Sequence, residues 1–307
     1  MTNKYKAEKL PFRLFCNTCD GIYRIPGIDV YFGTVCVNKC DFCLVRYSKS
    51  LNESIMPWNQ KPDVDKILAS VNKLCSAYNK RHMQILGGEP LLFLEQLNGF
   101  LDKIPSGVNF IKLQTSLPKA CLVKKDLLLN VLSKVNVVEV SIHHPDNKIN
   151  AKVLRSNEDQ DRLELLGQLK KELPDLKVMT NTVITKDIFK KGDIELLIEK
   201  AHKNHVDCMR LTEVKECQAK YIPITDLLPV KYNAPYSHGC SIPLHVDGIQ
   251  DMKILIRPNC FRCNSQLMAS NLDLIKAITK KFDWIRTHQC VRDYGVGIFP
   301  NGEIYNQ

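Results

Sequence analysis

Phe32-Gly33-Thr34-Val35-Cys36-Val37-Asn38-Lys39-Cys40-Asp41-Phe42-Cys43 is the stretch that decides the fold. It follows the strand-like run Ile28-Asp29-Val30-Tyr31-Phe32, and its cysteines are spaced Cys36-x3-Cys40-x2-Cys43. Three closely spaced thiolates can hold three irons of a [4Fe–4S] cube, leaving the fourth iron without a protein ligand and open to a substrate. Electron carriers of the ferredoxin type normally supply four cysteines and close the cluster. A three-cysteine loop therefore implies chemistry at the iron.

Outward from this loop, β-like and helix-like segments alternate. Short apolar strands are predicted at Ile28–Phe32, His82–Leu86, Asn109–Gln114, Val137–Ile142, Lys177–Ile184 and Asp207–Leu211. Helices are predicted at Asp63–Lys80, Phe93–Lys103, Lys124–Leu132, Asp159–Glu172 and Asp193–Lys203. On the first helix Ile67, Leu68, Val71, Leu74 and Cys75 share one face, so Cys75 reads as core. The alternation predicts an α/β fold with a parallel sheet whose functional loops gather at the strands' C-terminal ends. Six units rather than eight suggest a partial (β/α)6 barrel, open on one side.

Composition narrows the class. The chain has 307 residues, 44% of them apolar and 25% charged, which suits a globular protein with a sizeable core. No 18-residue apolar run supports a membrane span, and the polar start Met1-Thr2-Asn3-Lys4 does not read as a signal peptide. Thirteen cysteines, an odd number without an export signal, speak for a reducing, cytoplasmic compartment rather than a disulfide framework. The net charge of +10 admits a nucleic-acid partner. The basic residues are scattered in short pairs such as Lys170-Lys171 and Lys280-Lys281, however, which favours solvated helix faces.

Beyond Leu211 the composition shifts. Residues 215–260 hold Pro223, Pro229, Pro235, Pro243 and Pro258 with little helical periodicity. A helix is predicted near Asn271–Lys281. Asn301-Gly302 between apolar runs then predicts a closing β-hairpin over Gly297–Tyr305. The expected organisation is an N-terminal extension over 1–27, a core barrel over 28–214 and a cysteine-rich extension over 215–307.

Four features fall in order along this pattern: the cysteine loop with aromatic Phe42, Gly87-Gly88-Glu89-Pro90 about 45 residues later, Ser141-Ile142-His143 with Arg155 downstream, and Met209-Arg210-Leu211-Thr212-Glu213. Together they resemble the radical S-adenosylmethionine (SAM) superfamily over residues 28–214. The resemblance implies that the methionyl amine and carboxylate of SAM chelate the open iron. An electron from the reduced cluster then breaks the sulfur–C5′ bond and yields a 5′-deoxyadenosyl radical that takes hydrogen from a substrate. It implies SAM contacts at Phe42, Gly87, Gly88, Glu89, Pro90, Ser141, Arg155, Asn181 and Leu211. Glu89 would accept a hydrogen bond from the SAM ammonium, and Arg155 would meet its carboxylate. Where peptide-modifying members usually have Asp-Gly after Ser-x, this chain has His143-His144, which could assist proton transfer or make local hydrogen bonds.

The remaining cysteines leave alternatives open. Cys240, Cys260, Cys263 and Cys290 include the metal spacing Cys260-Phe261-Arg262-Cys263. The run from Cys290 to Tyr305 resembles the hairpin of SPASM or Twitch extensions, which carry auxiliary clusters. The cysteine that normally follows that hairpin is missing from Tyr305-Asn306-Gln307. A second [4Fe–4S] cluster on these four cysteines is the preferred assignment, with structural zinc or unligated thiols as alternatives. Cys16 and Cys19 form another C-x2-C pair, either metal-binding or a redox dithiol. Cys121, Cys208 and Cys217 are isolated, with Cys208 expected to be buried. The expected function is radical modification of a peptide or protein, or of a small molecule, with flavodoxin or ferredoxin as reductant. A nucleotide or tRNA substrate is one alternative; a non-catalytic iron–sulfur or zinc protein that binds nucleic acid or senses redox state is another.

Overall fold

The computed structural model describes residues 5–7, 28–43, 45, 59–78, 82–214, 220–228, 242–257 and 296–306. In chain order the strands are β1 (Tyr5–Ala7), β2 (Ile28–Tyr31), β3 (His82–Leu86), β4 (Phe110–Thr115), β5 (Val137–Ser141), β6 (Lys177–Ile184), β7 (Cys208–Glu213), β8 (Ile242–Val246), β9 (Ile249–Arg257), β10 (Val296–Ile298) and β11 (Ile304–Asn306). The helices are α1 (Val64–Tyr78), α2 (Leu94–Asp102), α3 (Lys119–Leu122), α4 (Lys125–Ser133), α5 (Asn147–Leu154), α6 (Arg162–Glu172), α7 (Asp193–Lys203) and α8 (Ile224–Leu227).

All these strands join one open sheet in the order β1-β8-β9-β7-β6-β5-β4-β3-β2-β10-β11. The six predicted strands lie together at its centre as β2 to β7, each parallel to the next. This is the partial barrel that the alternation predicts. One further parallel strand flanks each side: β9 beside β7 and β10 beside β2. Each belongs to a hairpin. Asp247-Gly248 turns β8 into β9, with Gly248 at φ 86°, and Asn301-Gly302 turns β10 into β11, with Gly302 at φ 83°. Both glycines thus occupy left-handed backbone. Residues beyond 214 therefore extend the central sheet on both sides, and β1 from the N-terminal residues closes the β8 side.

Residue alternation along the strands separates two faces. Ile28 and Val30, Met83 and Ile85, Val138 and Val140, and Met209 and Leu211 belong to one buried core with the helices. Helix α1 shows why. Ile67, Leu68, Val71 and Leu74 recur at helical spacing, and all are buried in that core. Each such side chain contributes about 1.5–3 kcal/mol on burial. Cys75 packs partly buried against the same cluster, as expected. Cys208, expected to be buried, is only half-buried at the start of β7. Among the described residues no helix is long and apolar enough to cross a membrane. The predicted helix near Asn271–Lys281, and Cys16, Cys19, Cys217, Cys240, Cys260, Cys263 and Cys290, lie outside the described residues.

Candidate active site

The cysteine loop leaves β2 and lies against the end of β3. Phe32 N donates to Leu86 O at 2.7 Å, Gly88 N to Gly33 O at 2.9 Å, and Glu89 N to Val35 O at 2.8 Å. A Cβ on Gly87, whose φ is 138°, would stand 2.4 Å from Gly33 O. A Cβ on Gly88 would stand 2.2 Å from Val35 O. The close approach that requires glycine here is therefore to the backbone of the cysteine loop itself. On the loop's far side, Lys39 N donates to Leu154 O at 2.9 Å, at the end of α5. Thr34 and Gln60 clasp each other through two 2.9 Å hydrogen bonds.

Cys36, Cys40 and Cys43 are all half-buried. Among the described residues no three His, Cys, Asp or Glu side chains stand close enough to share one metal ion. A cube asks for something different, because each thiolate binds its own iron and the ligands stand farther apart than those of a single ion.

Glu89 is only 1% exposed, and its carboxylate already has four protein donors. Oε1 accepts from Leu91 N at 3.1 Å and Thr115 Oγ1 at 2.5 Å; Oε2 accepts from Ser116 N at 2.7 Å and Ser116 Oγ at 2.6 Å. That fills about four acceptor sites. Burial pushes the carboxyl's pKa up, against these donors, which favour the ionised form. Four protein donors thus already occupy the carboxylate that was expected to accept a hydrogen bond from the SAM ammonium. Glu89 fastens the Gly-Gly turn to the end of β4. Pro90 follows as the buried first residue of a single 3₁₀ turn, Pro90–Phe93.

Two arginines flank the site, Arg155, expected to meet the SAM carboxylate, and Arg162, which the sequence reading did not single out. Arg155 closes α5 with a left-handed φ of 50° and is 55% exposed, its Nη2 lying 2.5 Å from Asp41 Oδ1 in the cysteine loop. Its charge is thus paired with a carboxylate of the protein's own cysteine loop. Arg162, at the start of α6, is 1% exposed. Its Nε donates to Ser116 O at 2.6 Å, which links it to the Glu89 network. Its Nη1 is buried with no hydrogen-bond acceptor among the described residues. Burial lowers its pKa, and the nearby Glu158, Glu89 and Cys40 oppose that shift. Leaving a charged donor without a partner is costly. An anion at this end of the sheet would supply the missing acceptor.

Register brings Ser141 beside Asn181, and Asn181 beside Arg210. Their side chains alternate with core residues and so lie on the sheet face turned away from the helices. Lys112, Gln114 and Glu139 share that face. Asn181 Oδ1 accepts from Thr212 Oγ1 at 2.9 Å. Leu211, expected to touch SAM, is fully buried on the opposite face and packs in the helix-covered core. Cys208, Arg210 and Thr212 are the β7 residues that alternate onto the polar face.

His143 is also reassigned. Its Nδ1 accepts from Val183 N at 3.1 Å, and its ring meets Phe42 edge-on at a centroid distance of 4.9 Å. Burial, aided by the charge of Arg162, lowers its pKa to about 3. A ring so held is neutral near pH 7, with Nδ1 as acceptor and its one proton on Nε2. His144 Nδ1 accepts from Asp146 N at 2.9 Å, the local hydrogen bonding that was the alternative reading. Phe42 thus borders His143.

The residues therefore fit a cluster with a SAM ligand on three counts. Three half-buried thiolates share one loop, a glycine cradle holds that loop against β3, and a buried arginine offers an unclaimed donor.

Comparison with known proteins agrees with this geometry. The family model described as the radical SAM superfamily matches residues 30–200. The crystal structure of Streptococcus suis SuiB is similar at TM-score 0.53 and 16% identity, over 91% of this chain and 59% of that one. SuiB bound to S-adenosylmethionine gives TM-score 0.53 and 17% identity over 91% and 59%. SuiB bound to precursor peptide SuiA gives 0.54 and 15% over 91% and 58%. The chain thus spans less than two thirds of SuiB's length. No curated protein matches.

Proposed function

Because the chain belongs to the radical SAM superfamily and is an enzyme, we propose that it removes hydrogen from a C–H bond of a peptide or protein substrate. When bound, the cluster supplies the electron that cleaves SAM, and the family implies both groups. Cys36, Cys40 and Cys43 would hold the cluster. Gly87 and Gly88 keep the loop that carries these cysteines seated on β3. Arg162 Nη1 would receive the carboxylate of SAM, while Arg155 secures the loop through Asp41. Ser141 and Asn181 would meet the polar parts of SAM from the rim of the sheet, and Phe42 would border its adenine.

The observation that carries the reading is the convergence of the cysteine loop, the glycine cradle and Arg162 at the C-terminal ends of β2 to β6. The substrate side of the proposal rests on the polar face. Gln114, Ser141 and Asn181, half-buried on that face, would offer hydrogen-bonding groups to a polar chain such as a peptide, above the buried Lys112–Glu139–Arg210 cluster. The fold shared with SuiB, a protein whose structure includes its precursor peptide, supports the same class. Flavodoxin or ferredoxin would serve as electron donor. On their spacing alone, Cys240, Cys260, Cys263 and Cys290 are assigned to a second [4Fe–4S] cluster.

The test is incubation of anaerobically reconstituted protein with SAM, a reductant and short peptides encoded beside its gene. A peptide product with altered mass, formed together with 5′-deoxyadenosine, supports the proposal. Modification of nucleosides or tRNA with no change in any peptide would replace it.

A further inference from the structure

Asp41 lies between Cys40 and Cys43, and its two carboxylate oxygens go to different cations. Oδ1 is 2.5 Å from Arg155 Nη2, and Oδ2 is 2.9 Å from Lys220 Nζ. Lys220 Nζ also lies 3.0 Å from Asp187 Oδ2. Four charges of alternating sign thus run from the end of α5, through the cysteine loop, to the segments beyond β7 and β6. The last two are joined by backbone as well, since Lys186 N donates to Lys220 O at 2.9 Å. One exposed ion pair contributes only about 0.2–1 kcal/mol. Here the pairs share members, Asp41 and Lys220 are mostly covered, and what they hold is small. The Cys40–Cys43 turn closes on one long backbone hydrogen bond, Cys43 N to Cys40 O at 3.3 Å.

We infer that Asp41 positions the Cys40–Cys43 turn, and that Arg155 and Lys220 cancel its charge beside the cluster. The inference rests on the reading of this loop as the cluster's holder. A carboxylate next to Cys40 adds negative charge where three thiolates already concentrate it, and a cluster's reduction potential follows the local net charge. Together Asp41, Asp187, Arg155 and Lys220 balance. Losing one cation leaves the site more negative, and the cluster harder to reduce. Losing Asp41 leaves it more positive, and the cluster easier to reduce. A contact that served only to brace the loop would not shift the potential in opposite directions.

The experiment compares full-length Asp41→Asn, Arg155→Gln and Lys220→Met with the wild type. Potentials are read by electron paramagnetic resonance during redox titration of the reconstituted proteins. Backbone amide exchange over residues 39–43 is read by mass spectrometry on the metal-free chains. The expected result is an upward potential shift for Asp41→Asn and downward shifts for Arg155→Gln and Lys220→Met. Exchange should be several-fold faster in Asp41→Asn and largely restored in Asp41→Glu. Shifts of one common sign, or potentials and exchange rates equal to wild type, overturn the inference. If the wild type itself takes up no cluster, the reading of the loop fails. Exchange in the metal-free chains still decides whether Asp41 orders the turn.

Discussion

Glu139 Oε2 stands 2.6 Å from Lys112 Nζ on the polar face of the sheet, with both side chains almost wholly excluded from water. Arg210 Nη1 reaches the carboxylate's other oxygen at 3.3 Å. Burying charges in this way returns little net stability, but removing one partner strands the other. Lys112→Met is therefore expected to cost about 3–5 kcal/mol, measured by urea denaturation. A cost below about 1 kcal/mol, the scale of an exposed pair, would show that the group is solvated.

The same contact sets a pH dependence. Burial alone would raise the Glu139 pKa, but the charges of Lys112 and Arg210 prevail and hold it at about 2, below the ordinary 4.5. A depressed carboxyl contributes stability that is complete above its ordinary value and lost as pH falls toward the folded one. Unfolding free energies across that window should fall more steeply for wild type than for Glu139→Gln. Parallel profiles would contradict the assignment.

His143 gives a second window with the same sign. Its folded pKa of about 3 lies below the ordinary 6.5. Stability is then complete above 6.5 and lost as pH falls toward 3, by up to ~1.4 kcal/mol per pH unit for one proton. The imidazole signal in nuclear magnetic resonance should stay that of the neutral ring at pH 5. A protonated ring at that pH would sink the claim.

Gly88→Ala places a methyl group 2.2 Å from the backbone oxygen of Val35, and a backbone atom cannot swing aside as a side-chain tip can. The cysteine loop must move off β3. Iron bound after reconstitution is expected to drop well below the wild-type amount in a chain that still folds by circular dichroism. Full iron loading would show that the loop tolerates the shift.

Arg162→Gln removes the charged donor assigned to the SAM carboxylate. A charge-assisted hydrogen bond contributes about 1.5–3 kcal/mol, so SAM affinity for the reconstituted protein should weaken by about 10–100-fold. Binding within twofold of wild type would return that role to another residue.

Much of this was legible in the residues. The periodicities located β2 to β7, and Asn301-Gly302 located the last hairpin. Asp247-Gly248 carries the same turn chemistry between β8 and β9, but the surrounding prolines masked it. Helix α5 went unread although Asp146 is its N-cap, accepting from Lys148 N and Ile149 N. The site was legible where spacing is the signal, in the cysteines and Gly87-Gly88, and opaque where packing decides. Arg155 and Arg162 have equal claims in one dimension. Only the fold directs the first to Asp41 and buries the second, although Arg162 does share the apolar helix face of Leu166 and Leu169. The Leu211 side chain turns to the helix-covered core, since a strand residue one place from Arg210 points to the other face.

The most direct test is to incubate the anaerobically reconstituted full chain with SAM and dithionite and quantify 5′-deoxyadenosine. The account predicts that the product forms with the wild type and vanishes when Cys36, Cys40 or Cys43 is replaced by alanine. Undiminished product from any of those variants, or none from a wild type carrying an intact cluster, would contradict it.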